Sequence, residues 1–220
     1  MPKPKWNLNT IYISERLQES LRPISRCAMT TVVAPMGYGK TTAVNWYLAE
    51  RARMEVPTII RISVYSDNLA ILWRSVQDAF ARAGLDFLRD YSCPTDAAGA
   101  GLLVDDLCHA LVGEASCFIF IDDFHLLTDR RASVFLCMLA HRLPANVHLI
   151  VASRDRFLPA TEAVRLGAKV YQIGIRSGRS SCDSTTRSLR SMRIAAARIS
   201  RMRRSRPCYT RVRAGSRRCI

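Results

Sequence analysis

Apolar positions along the chain form two kinds of segment that alternate with each other. Short apolar runs, which are typical of strands, occupy residues 31–33, 58–64, 117–121, 147–152 and 169–173. Longer segments with helical spacing of apolar residues cover 14–21, 41–54, 68–83, 101–112, 130–142 and 161–166. Residues 85–100 have no clear pattern and predict a loop. Because strands and helices alternate, we expect an α/β domain with a central parallel sheet flanked by helices.

The clearest helical pattern lies within residues 68–83. Its apolar stripe consists of Leu69, Leu72, Trp73, Val76 and Phe80. We interpret this stripe as part of the core rather than as a cofactor site. In residues 130–142, the pattern predicts four inward-facing side chains: Val134, Leu136, Met138 and Leu139.

A loop with two glycines connects the first predicted strand to the helix that follows it. Gly37 and Gly39 let the backbone turn tightly and point its N–H groups inward, so that they can surround an anion. Lys40 offers a positive charge to the β- and γ-phosphates of a nucleotide, and the Thr41 hydroxyl is a ligand for Mg²⁺. The segment matches the phosphate-binding P-loop, or Walker A motif, except that Ala34 stands where the first glycine more often occurs.

The nucleotide contacts that this motif predicts are Ala34, Pro35, Met36, Gly37, Tyr38, Gly39, Lys40, Thr41 and Thr42. The alternative is a glycine-containing turn with no ligand, which a matching acidic strand elsewhere in the chain would argue against. Arg16, in the short helix before the first strand, is a further candidate that would lie over the adenine. A solvated surface arginine is an equally good interpretation of Arg16.

An acidic pair, Asp122 and Asp123, follows the apolar run 117–121. Such a run is typical of a central parallel strand buried on both faces, and ligands bind at the carboxyl ends of such strands. This is the Walker B arrangement, in which Asp122 holds Mg²⁺ and Asp123, as the catalytic candidate beside Lys40, orients or deprotonates a water. The alternative is a pair of carboxylates that cap the next helix. His125 is either a polar contact near the γ-phosphate or a cap or packing residue.

Polar residues also follow the apolar run 147–152. A basic or hydroxyl side chain at this strand end is suited to sensing the γ-phosphate, and Arg154 is our candidate. A surface arginine in a salt bridge is the alternative. The expected cofactors are therefore ATP or ADP together with Mg²⁺.

Charge is distributed very unevenly along the chain. The net charge is +15, yet residues 175–220 contain 14 Arg, no Lys and only one acidic residue, Asp183. We therefore divide the chain into a P-loop domain at 1–174 and an Arg/Ser-rich tail at 175–220, which we expect to be disordered. One interpretation is a basic arm that binds nucleic acid through its phosphates. The other, which we favour, is the product of a shifted reading frame in a GC-rich gene.

Cysteine spacing and hydropathy limit the remaining classes of protein. The eight cysteines form no Cys-x-x-Cys pair and no zinc-ligand pattern with histidine, so buried free thiols are expected. No run of about eighteen apolar residues is present to span a membrane. The first residues lack the apolar core of a signal peptide. A cytoplasmic location without a membrane partner is the expectation.

Several segments together resemble a known family. APMGYGKTTAVNWYL is similar to the P-loop of the large ATP-dependent transcriptional regulators of the MalT/LuxR type, which belong to the STAND group of signalling NTPases. FIFIDDFHLL resembles their acidic strand, and VHLIVASRDRF resembles their following strand with its Ser-Arg sensor. The resemblance covers about residues 10–174, although the segment after the second strand lacks the usual Trp-Leu-x-Leu-Asp opening.

The resemblance implies an AAA+/STAND-like P-loop NTPase that acts as a regulator. Such a regulator is held inactive with ADP, is activated by inducer and ATP, and then self-associates at DNA. In this family the nucleotide domain is followed by a winged-helix lid, a sensor domain and a helix-turn-helix, none of which is readable here. We therefore expect a truncated chain, with DNA contacted only through the missing domain or weakly through the basic tail.

Two functions from different classes, and a third minor one, follow from these motifs. The first is an ATP/ADP-binding switch module in which nucleotide exchange or slow hydrolysis controls activation of transcription. The second is an AAA+-type ATPase whose output is hydrolysis, and the third is nucleic-acid binding through the tail. The Asp-Asp-x-His pattern favours the switch, whereas an Asp-Glu pair would favour hydrolysis. At most a slow ATPase is expected.

Overall fold

The computed structural model describes residues 13–174, in which parallel strands alternate with helices. The strands are β1 (Met29–Val33), β2 (Thr58–Ser63), β3 (Cys117–Asp122), β4 (Val147–Ser153) and β5 (Val170–Gly174). The helices are α1 (Glu15–Leu21), α2 (Lys40–Met54), α3 (Leu69–Arg82), α4 (Ala97–Leu111), α5 (Arg130–Arg142) and α6 (Ala160–Leu166). The predictions for the Arg/Ser-rich tail and for the boundary before it fall outside the described residues.

The five strands form one sheet in the order β2-β3-β4-β1-β5, and every neighbouring pair is parallel. The predicted α/β fold with a central parallel sheet is therefore confirmed. β4 lies between β1 and β3, and its Ser153 is paired with Val33 at the end of β1. Because all strands run the same way, their carboxyl ends meet at one edge of the sheet. The loop after β1 and the acidic pair after β3 both lie at this edge.

Successive side chains on a strand point to opposite faces of the sheet, so the buried side chains of the strands form two groups, one on each face. We call the first face the α2 face. It is formed by Val32, Phe118, Phe120, Ile150 and Ala152, which pack with Leu17 and Leu21 of α1 and with Val44 and Leu48 of α2. We call the second the α3–α5 face, where Ile60, Ile119, Leu149 and Val151 pack with residues of α3, α4 and α5.

Three local expectations differ from the structure. The stretch 85–100 is not all loop, since a 3₁₀ helix spans Asp86–Asp90 and α4 already begins at Ala97. The earlier start of α4 follows from Asp96, whose side-chain oxygen accepts a hydrogen bond from the Gly99 N–H at 2.7 Å and so caps the helix. Val134, expected inward, is 57% exposed.

The α3 stripe also departs from a fully buried core. Phe80 is buried, whereas Leu69, Leu72, Trp73 and Val76 are only half-buried. These side chains line an apolar cavity between α3, α4 and α5.

The described cysteines and helices give two further observations. Cys27, Cys93, Cys108, Cys117 and Cys137 are free thiols. Burial raises the pKa of the Cys117 thiol to about 11. Within residues 13–174, no helix has both the length and the apolar character needed to cross a membrane.

Candidate functional site

The loop between β1 and α2 has the backbone shape that an anion-binding loop needs. Gly37 and Gly39 have φ angles of 79° and 72°, a region that side chains disfavour. Gly39 is also the residue that precedes the first turn of α2, so the free N–H groups of that turn and the positive end of the helix dipole point toward the loop. Ala34 is buried and keeps a negative φ, so alanine is compatible with this position.

Lys40 is held inside this loop by the loop's own backbone. Its Nζ donates hydrogen bonds to the Ala34 carbonyl at 2.7 Å and to the Pro35 carbonyl at 3.1 Å. Burial lowers the pKa of Lys40, an effect that the nearby carboxylates of Asp123 and Asp122 oppose. The ammonium group therefore lies at the point where a bound phosphate would need a positive charge.

Thr41 and Asp122 are brought together although 81 positions separate them in sequence. The Thr41 hydroxyl donates to Asp122 Oδ2 at 2.7 Å. The other carboxylate oxygen, Oδ1, accepts a hydrogen bond from the Asp123 N–H at 2.9 Å. A hydroxyl and a carboxylate thus lie next to each other at the entrance to α2, in front of Lys40.

Asp123 has an unusual backbone conformation. Its φ and ψ are 56° and 34°, and it is the only residue other than glycine with positive φ in the described part of the chain. Residues held in this region cost about 1–3 kcal/mol and concentrate at functional sites. The turn exposes 54% of the Asp123 side chain, so the carboxylate faces solvent next to the loop instead of continuing the strand.

His125 lies beside this carboxylate but makes no hydrogen bond to it. Its side chain is 8% exposed, and Nδ1 is 3.9 Å from Asp123 Oδ1. Neither ring nitrogen has a hydrogen-bond partner among residues 13–174. Burial lowers the pKa of His125, and the positive charges of Arg154 and Lys40 lower it further. The imidazole is therefore neutral near pH 7, with free nitrogens at the edge of the site.

The end of β4 contributes two residues, one of which the sequence interpretation passed over. Arg154, the chosen sensor, is exposed and extends over the loop, with Nη2 3.2 Å from Met36 Sδ. Ser153 is 1% exposed, and its hydroxyl has no partner among the described side chains and backbone groups. Its carbonyl accepts the Ala34 N–H at 3.3 Å, which places it directly behind the loop. The signal for Ser153 that the sequence contained was a residue with a hydroxyl group at the end of an otherwise apolar strand.

The remaining predicted contacts differ in their surroundings. Pro35 and Met36 are exposed, and Thr42 is half-buried in the first turn of α2. Tyr38 is half-buried and packs against the core of the α2 face. Arg16 is exposed on α1, a helix that packs against α2. Contact of Arg16 with an adenine stays a prediction.

The residues present fit a magnesium nucleotide. The space beside Gly37 is open, since a Cβ added there would meet nothing within 4 Å. Thr41 and Asp122 supply two hard oxygen ligands, and Mg²⁺ in nucleotide sites takes one or two protein oxygens together with phosphates and waters. Residues 13–174 contain no cluster of three or more His, Cys, Asp or Glu that would hold a metal by itself.

Comparison with solved structures finds similar chains at low sequence identity. One is Cdc6p from Pyrobaculum aerophilum, with 16% identity over 76% of this chain and 47% of that chain and a TM-score of 0.49. This chain thus spans about half the length of Cdc6p. Another is a chain in the structure of Drosophila ORC bound to AT-rich DNA and Cdc6, with 12% identity, coverage of 83% and 63%, and a TM-score of 0.48. A third is the Aeropyrum pernix ORC2 protein in ADPNP-ADP complexes, with 12% identity, coverage of 91% and 67%, and a TM-score of 0.40.

Comparison of sequences gives the family. No curated protein sequence matches the chain at a significant level. The profile of the AAA domain family matches residues 22–154, which is more than half of the 220 residues. The matched segment runs from the turn before β1 to Arg154 and so contains the glycine loop, the acidic pair and the end of β4. The chain therefore belongs to the AAA domain family of P-loop NTPases.

Proposed function

We propose that this domain is an ATP/ADP-binding switch module of a MalT/LuxR-type transcriptional regulator. The observation that carries the proposal is the pairing of Thr41 with Asp122 at 2.7 Å, directly in front of the buried ammonium of Lys40. A magnesium nucleotide requires a hydroxyl and a carboxylate for the metal ion and a lysine for the phosphates. Nucleotide exchange or slow hydrolysis would then control activation.

Each residue at the site has a role in this proposal. Lys40 leaves the carbonyls of Ala34 and Pro35 and neutralises phosphate oxygens. Thr41 and Asp122 hold Mg²⁺, which when bound neutralises charge on the β- and γ-phosphates. Asp123 orients an attacking water. Arg154, which now lies over Met36, is free to turn toward the γ-phosphate.

Two features support a switch over an efficient motor. The Asp123 carboxylate is short and 54% exposed, so it is weakly constrained as a base for water. Burial lowers the pKa of His125, which disfavours a positive charge on this side chain beside Asp123. Resemblance of the Asp122–His125 segment to the acidic strand of the STAND regulators points the same way.

A second candidate is an AAA+ ATPase whose output is hydrolysis, and membership of the AAA domain family supports it equally well. The two functions differ in rate. Turnover of the order of 1 s⁻¹ or faster would favour the motor, whereas tight ADP binding with much slower turnover would favour the switch. A single-turnover measurement with excess protein separates the chemical step from release of ADP.

The test of the site is the affinity of ATP and of ADP for wild type and for Lys40→Ala, measured by calorimetry. We expect affinity to fall about tenfold or more, since a hydrogen bond to a charged group contributes about 1.5–3 kcal/mol. Lys169→Ala is the matched control. Lys169 also donates to a backbone carbonyl, that of His141, but it precedes β5 and so lies at the opposite edge of the sheet. Equal affinities for wild type and Lys40→Ala would overturn the site assignment.

Self-association and DNA binding are further parts of the proposal. We propose self-association in the ATP-bound state, which light scattering with ATP and with ADP would test. DNA contact is proposed through a domain absent from this chain or weakly through residues 175–220. Deletion of 175–220 should abolish any DNA binding, whereas Lys40→Ala should leave it intact; the reverse result would contradict a role for the tail.

A further inference from the structure

A cavity of about 330 Å³ lies on the α3–α5 face, away from the nucleotide loop. It is half open to solvent and is lined by the α3 stripe, by residues Cys93 to Ala97 and Ala100, and by one side of α5. Its floor is the sheet, through Ile62, Ile119 and Ile121. Its rim reaches the surface, since the lining residue Val134 is 57% exposed, and an apolar pocket of this size between helices needs a cause.

The cause is visible in the sequence of α4. Five successive residues at its start have small side chains or none: Ala97, Ala98, Gly99, Ala100 and Gly101. Ala100 lines the cavity. A Cβ added to Gly101 would reach only an ordinary contact, 4.0 Å from the end of Met138. Helix α4 therefore passes α3 and α5 without filling the space between them. As a result, Trp73 of α3 remains half-buried.

The interior of the cavity is apolar because most of its lining side chains are apolar, and several of the polar groups around it are paired with other groups. Trp73 Nε1 donates to the Tyr91 carbonyl at 2.9 Å. Arg131 is paired with Asp129 at 2.7 Å, and Asp96 caps α4. Arg130 also lines the cavity and is exposed; its carbonyl accepts a hydrogen bond from the Ser133 hydroxyl, while its guanidinium has no ion-pair or hydrogen-bond partner within residues 13–174. The space thus combines an apolar body with one available cation at its rim.

We propose that this cavity is an effector site for a compact apolar molecule, about the size of a fused bicyclic aromatic, with an acidic group that pairs with Arg130. Ligand pockets measure about 300–1,000 Å³, and an apolar cavity of about 150 Å³ holds benzene. A bicyclic body therefore fits the 330 Å³ found here. Water is a poor occupant because the interior offers it few hydrogen-bond partners.

The side chain of Phe124 connects the cavity to the nucleotide site. Phe124 lines the cavity and directly follows Asp123 in the chain. Its ring packs on Phe157 with centroids 4.5 Å apart, and Phe157 belongs to the segment after Arg154. An occupant that pushes on Phe124 therefore acts on both the acidic turn and the end of β4. This coupling rests on the proposed nucleotide function, whereas binding of the ligand does not.

The binding test uses naphthalene-1-sulfonate, a fused bicyclic aromatic acid, titrated against the full chain by its fluorescence. Ala100→Leu fills the cavity from α4, and Ala98→Leu is the matched control, because Ala98 is exposed on the same helix and does not line the cavity. We expect Ala100→Leu to weaken binding at least tenfold and Ala98→Leu to leave it unchanged, with both variants melting cooperatively. Equal binding by the two variants would overturn the proposal.

A second measurement does not depend on a substitution. Cys93 lines the cavity, whereas Cys27 is outside it, and both thiols are half-buried. The saturating probe should slow alkylation of Cys93 at least fivefold and leave Cys27 unaffected, as read by mass spectrometry of the two peptides. Protection of both thiols to the same extent, or of neither, would contradict binding in the cavity.

The coupling is tested by the affinity for ADP with and without the saturating probe. Coupling free energies are reciprocal and typically change affinity about 5–150-fold, so we expect at least a fivefold change that disappears in Ala100→Leu. An unchanged ADP affinity would overturn the effector role. Lys40→Ala should still bind the probe, so that failure of the nucleotide site and failure of the cavity are told apart.

Discussion

Both faces of the sheet contain completely buried side chains, and they differ in packing at the α3 stripe. On the α2 face, Leu17, Val44, Leu48 and Ile150 are completely buried. On the α3–α5 face, most of the α3 stripe is half-buried beside a cavity of about 330 Å³. The packing is tight around α2, whose first turn and Lys40 form part of the nucleotide loop. It is looser beside α3, which contributes no residue to that loop.

The strongest test of this contrast compares one leucine from each face. Leu48→Ala, in α2, should lower the free energy of unfolding by about 2–5 kcal/mol, because it leaves a new cavity in a close-packed region. Leu72→Ala, in α3, should cost less than half as much, because this side chain is half-buried and already borders a void. Urea denaturation measures both, and equal losses would remove the contrast.

The second test concerns the edge that the α2 face supports. Thr41→Val removes the hydroxyl that bonds to Asp122 while nearly conserving shape. We expect Mg²⁺ to strengthen ATP binding about tenfold less in this variant, since interactions with charged groups contribute about 1.5–3 kcal/mol. Thr41→Ser keeps the hydroxyl and should behave as wild type. Loss of the Mg²⁺ effect in both variants would point to packing instead of the hydroxyl.

A third test uses pH to probe a buried histidine on the α2 face. His148 stacks against Phe118 with centroids 5.2 Å apart, and Nδ1 is 3.0 Å from the Cys27 carbonyl. Burial lowers its pKa below the ordinary value of 6.5. As pH falls below 6.5, the unfolded chain therefore binds more protons than the folded chain, and the free energy of unfolding should decrease.

The variant for this test is His148→Gln, which does not titrate and keeps an N–H donor. Its free energy of unfolding should fall less steeply than that of wild type between pH 6.5 and about 5. His109→Gln, at an exposed position of α4, is the control and should keep the wild-type slope. Parallel curves for His148→Gln and wild type would mean that another group controls the acid response.

The smallest expected effect is at Asp123. A non-glycine residue with positive φ costs about 1–2 kcal/mol, and glycine loses part of this gain through its freedom in the unfolded chain. Asp123→Gly should therefore be neutral or more stable by up to about 1 kcal/mol, whereas Asp123→Ala should not gain. Thermal unfolding measures both, and destabilisation by glycine would show that the carboxylate itself supports the turn.

The motifs were the part of the molecule that the sequence predicted best. Glycines, a lysine and paired carboxylates occur at these spacings for chemical reasons, so the loop at 34–41 and the acidic strand end could be located without coordinates. The order of elements followed from hydrophobic spacing, and α5 has the predicted bounds of Arg130–Arg142. That Thr41 would meet Asp122 depends on strand order, which spacing alone does not specify.

The missed features depend on contacts between distant segments. The cavity arises because small residues of α4 face large ones of α3, and no local pattern reports that encounter. The hydroxyl of Ser153 was passed over in favour of the more conspicuous Arg154, since burial behind Ala34 is visible only in three dimensions. Val134 was assigned inward from periodicity, yet it lines the pocket at the rim and is 57% exposed.

The position of β4 has a mechanical consequence. β3 and β1 share no backbone hydrogen bonds because β4 separates them. The side-chain bond from Thr41 to Asp122 therefore spans the carboxyl end of β4 as a transverse tie. A metal ion held by both residues would replace that tie with a stiffer cross-link, and the amides at the end of β4 should then exchange their hydrogens more slowly, while those of the edge strand β5 should change little.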